Sequence, residues 1–294
     1  MKFGQVTDPS VIDFTLTPSH PDTFRVLEPY KDNKDFEVFV GCAKWNKNDL
    51  KGFYPSGTKD ELTYYATQFN SIEMNATFYH SPSKEQVQVW KAKTPPDFKF
   101  FPKISQSISH YSRLKNIEEK LKAFTDSVAF FEEQLGAIFL QLHDNFHPKD
   151  FERLALFIEQ FPKGFPLAIE VRNEEWFTNK QIFDKYCALL EKYNCANTIV
   201  DTAGRRDMVH MRLTNDTAFV RYVGANHPSD YERLDDWLAQ IIAWRKAGLR
   251  KLYFFVHQNL EIESPLLATY FIKNLNEKLQ TDIRYPNKNM PTLF

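Results

Sequence analysis

Residues 71–76 read SIEMNA and residues 167–172 read LAIEVR, and these two short stretches decide how the fold is interpreted. In both, polar and apolar residues alternate, as expected for a strand that packs one face against helices. Six further runs are rich in β-branched or aromatic residues, and the complete set is 38–43, 71–76, 98–103, 137–142, 167–172, 197–201, 218–223 and 252–257. Their starts are roughly 20 to 40 residues apart, the length of one strand followed by one helix.

Amphipathic stretches between these runs predict the helices. Residues 58–69, 149–160 and 230–247 look helical, and the first of them opens with a capping box. The connection from about 202 to 217 is short and polar, so we expect its helix to be reduced or missing. Eight strands alternating with helices favour the α/β class and a single (β/α)8 TIM-type barrel over a doubly wound sheet.

The first 36 residues differ in character from the rest of the chain. They contain four prolines and no sustained period, so we expect an irregular N-terminal arm over residues 1–36. The barrel domain is then predicted to occupy residues 37–294.

Charge and composition argue against several classes of protein. The chain has 37 Lys and Arg against 38 Asp and Glu, and this near-neutral balance argues against a polybasic nucleic-acid or membrane-surface protein. It has no G-x-G-x-x-G motif, and its three cysteines form no C-x-x-C pair, so neither a dinucleotide loop nor a cysteine zinc site is indicated. No apolar run is long enough for a signal peptide or a membrane helix, and we expect a cytoplasmic protein.

Polar side chains end seven of the eight predicted strands. In a barrel, alternate residues point toward the axis, and the carboxyl ends of the strands form the face that carries chemistry. The polar residues predicted to meet there are Glu73, Asn75, Lys103, Gln141, Glu170, Arg172, Asp201, Arg221 and His257. Buried charges are costly unless they are paired, so this concentration predicts a functional site. The alternative is a structural network in which the acids and bases only neutralise one another.

The sequence around these residues resembles the YecE-like family, known as domain of unknown function 72. The matching stretches are FNSIEMNATFY (Phe69–Tyr79), AIEVRNEEWF (Ala168–Phe177), and shorter pieces at Gly41, Trp45, Phe53–Pro55, Phe98–Phe100, Lys103, His110, Leu140–Leu142 and Val220–Arg221. The resemblance extends over about residues 38–275 and implies a TIM-type barrel, but it implies no reaction. It also supports a functional role for His110, which lies outside the predicted strands.

The chain departs from the pattern of that family in a few places. Residues 143–146 read His-Asp-Asn-Phe where the family usually has Pro-Pro-Ser-Phe. Asn173 and Val223 stand where the family commonly has histidines, and His257-Gln258 replace a pair of asparagines. The resemblance therefore supplies no histidine ligands at positions 173 and 223.

Three cations among the strand ends indicate an anionic ligand. Lys103, Arg172 and Arg221 are predicted to hold a phosphorylated or carboxylated, sugar-like small molecule, since guanidinium groups match such anions in a bidentate way. Glu73 and Glu170 are the predicted acid/base pair of an enzyme, with unlike surroundings that separate their pKa values. The other predicted substrate-binding residues are Asn75, Tyr79, His110, Gln141, Asp201 and His257.

Two other functions stay open from the sequence. The first is a metal-dependent phosphodiesterase or nuclease-like barrel in which zinc or manganese is held by Glu73, Glu170, Asp201, His110 and His257. The cations placed among these residues argue against a metal cluster, and no cofactor is favoured. The second is a non-catalytic module that binds nucleic acid or protein through a local basic stripe.

Overall fold

The computed structural model describes residues 4–286, and these residues form eight strands and ten α-helices. The strands are β1 (Glu37–Cys42), β2 (Ser71–Met74), β3 (Lys99–Pro102), β4 (Ile138–Gln141), β5 (Leu167–Glu170), β6 (Ala196–Asp201), β7 (Thr217–Gly224) and β8 (Lys251–Gln258). The helices are α1 (Pro21–Leu27), α2 (Glu61–Gln68), α3 (Ala76–Tyr79), α4 (Lys84–Ala92), α5 (Glu118–Val128), α6 (Phe151–Gln160), α7 (Glu175–Thr178), α8 (Lys180–Lys192), α9 (Ser229–Ala247) and α10 (Ser264–Leu279). Each strand overlaps one of the eight predicted runs.

The strands pair in parallel and form two sheets. The larger sheet is a curled half-barrel of six strands in the order β1-β8-β7-β6-β5-β4, and the smaller sheet pairs β2 with β3. The segments of β3 and β4 are linked only by two isolated bridges among the described residues. Between β1 and β2, the Asn70 side chain takes the place of a ladder: its Oδ1 accepts from Val40 N at 3.0 Å, and its Nδ2 donates to Val38 O at 2.8 Å. The predicted α/β class is therefore confirmed. A complete eight-stranded barrel is not shown, because the main-chain ladder of residues 4–286 is interrupted at two places.

Aromatic rings fill the layer enclosed by the strands. Phe101, Phe139, Phe219 and Phe255 are fully buried there together with Tyr253. The ring of Phe101 on β3 lies 4.7 Å from Tyr253 and 4.8 Å from Phe255 on β8, centroid to centroid, so the smaller sheet packs across the interior onto the larger one. Burying a Phe side chain contributes about 1.5–3 kcal/mol to the stability of the fold. Several of the 27 phenylalanines of the chain therefore stabilise this inner layer.

The connection between β6 and β7 carries only a short 3-10 turn, Arg206–Met208, in the described part of the chain, as the sequence predicts. The N-terminal segment packs against this connection. Thr23 on α1 donates its hydroxyl to Met211 O at 3.0 Å and accepts from Leu213 N at 3.0 Å. Thr17 donates to Val209 O at 2.7 Å.

The expectation of an irregular arm over residues 1–36 is wrong for residues 21–27, which form α1. Its prolines mislead because Pro21 occupies the first turn of that helix, where a missing N–H has no cost. The boundary at residue 37 stays a prediction, and residues 1–3 and 287–294 of the two predicted segments lie outside the described residues. Among residues 4–286, no helix has the length and apolar character needed to cross a membrane.

Candidate functional site

The centre of the site is an ion-pair network around Arg221 on β7. Its Nε and Nη2 groups donate to the two oxygens of Glu73 on β2, at 2.8 and 2.9 Å. Its Nη1 group donates to Glu170 Oε2 at the end of β5, at 2.7 Å. These side chains point inward because Ala168 and Phe219, two residues earlier on β5 and β7, belong to the inner layer of the core. The two-point contact with Glu73 fixes the plane of the guanidinium group.

The Glu73 carboxylate is fully buried and has further donors. Asn75 Nδ2 donates to its Oε1 at 2.8 Å, and the His257 Nε2 atom lies 3.1 Å from its Oε2. Burial alone would raise the pKa of Glu73, but the Arg221 guanidinium and His257 outweigh it and hold that pKa well below its ordinary value. Glu73 is therefore an ionised acceptor at neutral pH.

The Glu170 carboxylate is equally buried and is also surrounded by donors. Arg172 Nε and Gln141 Nε2 donate to its Oε1 at 2.6 and 2.8 Å, in addition to the bond from Arg221 to its Oε2. Burial again raises its pKa, and the charges of Arg221 and Arg172 more than reverse this and lower it to about 2. The two carboxylates therefore have shifts in the same direction, whereas an acid/base pair has pKa values that lie apart.

A cavity of about 540 Å³ lies next to this network. It is lined by the side chains Phe78, Tyr79, Lys103, Gln106, His110, Tyr111, Arg113, Gln141, His143, Arg172 and Arg221. Four of these eleven described lining residues are Lys or Arg, and none of them is Asp or Glu. The buried carboxylates thus stand behind the cations, and the wall that faces the cavity is positive.

Lys103, directly after β3, is the buried basic residue of the wall that is not bonded to a carboxylate. Its Nζ atom donates to Gln141 Oε1 at 2.7 Å and lies 4.1 Å from the centre of the Phe78 ring. Burial, followed by the charges of Arg221 and Arg172, holds the pKa of Lys103 well below its ordinary value. Its side chain is only 6% exposed.

The segment after Lys103 forms the outer wall. Ser107–Tyr111 is a single π-helical turn, a form that occurs frequently at functional sites. It places the His110 ring 4.8 Å from Phe78 and 5.0 Å from His143, while Ser109 Oγ lies 2.9 Å from His110 Nδ1. Burial lowers the pKa of His110 to about 3, so its ring is neutral at pH 7.

The rim carries two exposed tyrosines. Tyr79 is 61% exposed and Tyr111 is 74% exposed, and both line the mouth of the cavity. The predicted site contains Tyr79, but it omits Phe78, Tyr111 and Arg113 along with Gln106 and His143. These residues come from loops and short turns, where strand alternation gives no signal. Apart from His143, these residues lie close in the chain to Tyr79 or His110, and this position is a clue to their role.

The structure brings ten of the eleven predicted site residues together, and Asp201 is the exception. Asp201 Oδ1 accepts from Arg233 Nη2 at 2.7 Å and from Arg206, and its Oδ2 accepts from Trp237 Nε1 at 2.7 Å. This places it on the outer side of β6, against α9. The inner layer contains Ala196 of the same strand, so residue 201, five positions later, faces the other way. The prediction that Asp201 binds substrate is therefore corrected.

The donor set does not fit the predicted metal centre. Residues 4–286 contain no group of three His, Cys, Asp or Glu side chains placed to hold a metal ion. Glu73 and Glu170 are bonded to Arg221, and Asp201 belongs to a separate cluster. A guanidinium thus occupies the place between the carboxylates that a cation would need, so we derive no metal chemistry from these residues.

Fold and site together define a parallel α/β protein with a positively lined cavity beside the inward-facing residues at the carboxyl ends of its strands. Residues 39–291 match the model of the family described as "Protein of unknown function DUF72", and the chain belongs to that family. The resemblance seen in the sequence is thereby confirmed.

Named relatives support the same assignment. The chain is 24% identical over 264 residues to UPF0759 protein YecE of Escherichia coli K12, covering 82% of this chain and 94% of that protein. It is 25% identical over 167 residues to UPF0759 protein YunF of Bacillus subtilis 168, covering 48% of this chain and 52% of that protein. These names state no activity.

Solved structures show a similar fold. A DUF72 family protein from Enterococcus faecalis V583 aligns with a TM-score of 0.66 at 19% identity, covering 84% of this chain and 99% of that chain. A DUF72 family protein from Thermotoga maritima MSB8 aligns with a TM-score of 0.63 at 24% identity, covering 82% and 99%. At these identities the likeness concerns the fold alone.

Proposed function

We propose that this protein is an enzyme that binds a phosphorylated or carboxylated, sugar-like small molecule in the cavity beside Arg221. The observation that carries the proposal is the composition of the wall: four Lys or Arg and no acidic residue among its described members. Guanidinium groups bind phosphate and carboxylate through paired hydrogen bonds. A cationic ligand would meet only like charge on this wall.

The buried carboxylates support this proposal as positioning groups. Glu73 and Glu170 bond to Arg221 from behind, and Glu170 also bonds to Arg172. A guanidinium held in place before the ligand arrives loses little side-chain entropy on binding. The acid/base role of Glu73 and Glu170 stays a prediction. Both carboxylates are buried and accept several hydrogen bonds from neighbouring side chains, and this favours the positioning role instead.

The two exposed tyrosines of the cavity rim favour a ligand that contains a ring. Tyr79 and Tyr111 present their rings to solvent at the mouth of a cavity whose deeper wall is charged. Aromatic faces of this kind stack on sugar rings while their hydroxyl groups stay hydrated. The arrangement suits a molecule with an anionic group at one end and a ring at the other.

The complete barrel predicted from the sequence is also part of this proposal. Support comes from the inner layer, to which strands on both sheets contribute, and from the close approach of Gly41 on β1 to Ser71 on β2. A closed ring of strands would hold the site residues of β2 and β7 at a fixed distance. The metal-dependent alternative is disfavoured, because residues 4–286 contain no group of side chains placed to hold a metal ion.

Thermal-shift measurements test the ligand class. We expect glucose 6-phosphate or inorganic phosphate to raise the melting temperature, and glucose at equal concentration to leave it unchanged. A ligand at about one hundred times its Kd adds about 2.7 kcal/mol of stability. Equal stabilisation by glucose, or none by phosphorylated and carboxylated compounds alike, would contradict the proposal.

A matched pair of variants locates the effect. Arg113 lines the cavity and Lys115 does not, and both side chains are exposed. We expect Arg113→Gln to weaken anion binding by about two- to fivefold, the range of an exposed charge contact, and Lys115→Gln to leave it unchanged. Equal effects of the two substitutions would mean that the anion responds to general surface charge and not to this cavity.

A further inference from the structure

We propose that Lys103 is a nucleophilic amine that forms an imine with the carbonyl group of an anionic aldehyde, ketone or 2-oxo acid. The inference rests on the proposed function, because the anion-binding wall would hold the carbonyl compound against the amine. It gives Lys103 a different role from the anion clamp predicted from the sequence.

The surroundings of Lys103 differ from those of the other lysines. It is the buried lysine among residues 4–286, and every other lysine there is exposed or half-buried. Within this described part of the chain, no carboxylate forms an ion pair with its Nζ atom. Lys103 nevertheless lines the cavity, so its side chain lies next to the place proposed for the ligand.

Charge balance in the buried network favours the neutral amine. Glu73 and Glu170 carry two negative charges, and Arg172 and Arg221, which bond to them, carry two positive charges. A protonated Lys103 would add a buried charge with no counter-ion, which is costly. A lysine next to other cations and shielded from water is an established form of activated nucleophile.

The charges of Glu170 and Glu73 and two contacts of Lys103 oppose this effect. The Gln141 Oε1 acceptor and the Phe78 ring face both favour the ammonium form. They are outweighed, since burial and the charges of Arg221 and Arg172 leave the pKa of Lys103 well below its ordinary value. The geometry also serves the reaction, because the same two contacts hold Nζ at a fixed place on the cavity wall.

The reaction is a condensation that needs no oxidant or reductant. The Nζ lone pair attacks the carbonyl carbon, and the C=O electron pair moves to oxygen, which takes up a proton to give a carbinolamine. The nitrogen then loses its protons as the oxygen departs in water, so one amine and one carbonyl give one imine and one water. When the imine is protonated, the carboxylate or phosphate of the substrate supplies the counter-charge that the protein lacks at this position.

Borohydride trapping tests the inference on the full chain. The protein is incubated at pH 7 with glyoxylate or with dihydroxyacetone phosphate, reduced, and analysed by intact mass and peptide mapping. We expect one secondary-amine adduct per chain, on the peptide that contains Lys103, formed at least about tenfold faster than at the exposed Lys115. Each unit by which the pKa of an amine is lowered gives tenfold more of the neutral form.

Controls separate this inference from the proposed function. Lys103→Met is expected to lose the adduct, and should it fail to fold, the peptide map of the wild-type protein decides alone. Inorganic phosphate should compete with labelling at Lys103 and not at Lys115. If phosphate stabilises the protein and neither carbonyl compound labels Lys103 preferentially, the imine is refuted and the anion site stands. If neither stabilisation nor labelling is seen, both proposals fail.

Discussion

The Glu170→Gln substitution removes one buried charge and keeps the shape of the side chain. Glu170 is fully buried and accepts from Arg221, Arg172 and Gln141 at 2.7, 2.6 and 2.8 Å. An amide in its place turns one acceptor into a donor that faces other donors, and it leaves a buried guanidinium charge uncompensated. Removing one partner of a buried ion pair costs about 3–5 kcal/mol, so we expect the free energy of unfolding to fall by about that amount.

The pKa shift of Glu170 gives a similar value for the stabilisation that its charge provides. Its pKa is about 2 in the folded protein, against about 4.3 for an exposed Glu, and a difference of roughly two units corresponds to about 3 kcal/mol. Because the folded pKa is the lower one, this stabilisation is complete above about pH 5 and is lost as the pH falls toward 2. The variant should therefore lose less stability than the wild-type protein between pH 5 and pH 3.

Urea unfolding at several pH values checks both expectations. The control is Glu152→Gln, whose exposed carboxylate pairs with Lys185 at 3.2 Å and should contribute less than about 1 kcal/mol. A loss below about 1 kcal/mol for Glu170→Gln, or an unchanged dependence on pH, would refute the view that Glu170 is the ionised partner of buried guanidinium groups.

Three further predictions follow from other parts of the structure. Asp201→Asn should lower the free energy of unfolding by about 3 kcal/mol and leave anion affinity unchanged, since Asp201 lies outside the cavity; urea unfolding and calorimetric titration check this. Gly41→Ala should destabilise the fold by about 1–3 kcal/mol, because a Cβ there would lie 2.1 Å from Ser71 O. A Cβ at Gly164 meets nothing within 4 Å, so Gly164→Ala should be tolerated, and equal melting temperatures of the two variants would contradict this. Tyr111→Ala should weaken ligand binding by roughly two- to tenfold with little change in melting temperature, and unchanged affinity would remove the stacking role.

Much of the fold follows from local patterns. The eight strands match the eight predicted runs because each run is short, β-rich and bounded by polar turns. The reduced connection between β6 and β7 follows from its length and polarity. The contact between β1 and β2 does not follow in the same way, because it depends on a side chain, Asn70, that bonds to the main chain of β1 in place of a regular ladder.

The sequence predicts which residues form the site better than it predicts the hydrogen bonds among them. Glu73, Glu170 and Arg221 are found together as predicted, yet the bonds among them join residues 148 and 51 positions apart. Which donor meets which carboxylate depends on the register of distant strands, and local alternation carries no information about it. For the same reason the sequence cannot show that the carboxylates lie behind the arginines.

Diffraction from crystals grown or soaked with selenate tests the central claim most directly, because the anomalous signal of selenium gives the position of the anion. The account predicts a peak in the cavity within hydrogen-bonding distance of Arg172 or Arg221, and displacement of that peak by a phosphorylated sugar. A peak confined to surface lysines, with the cavity free of anions at saturating selenate, would contradict it.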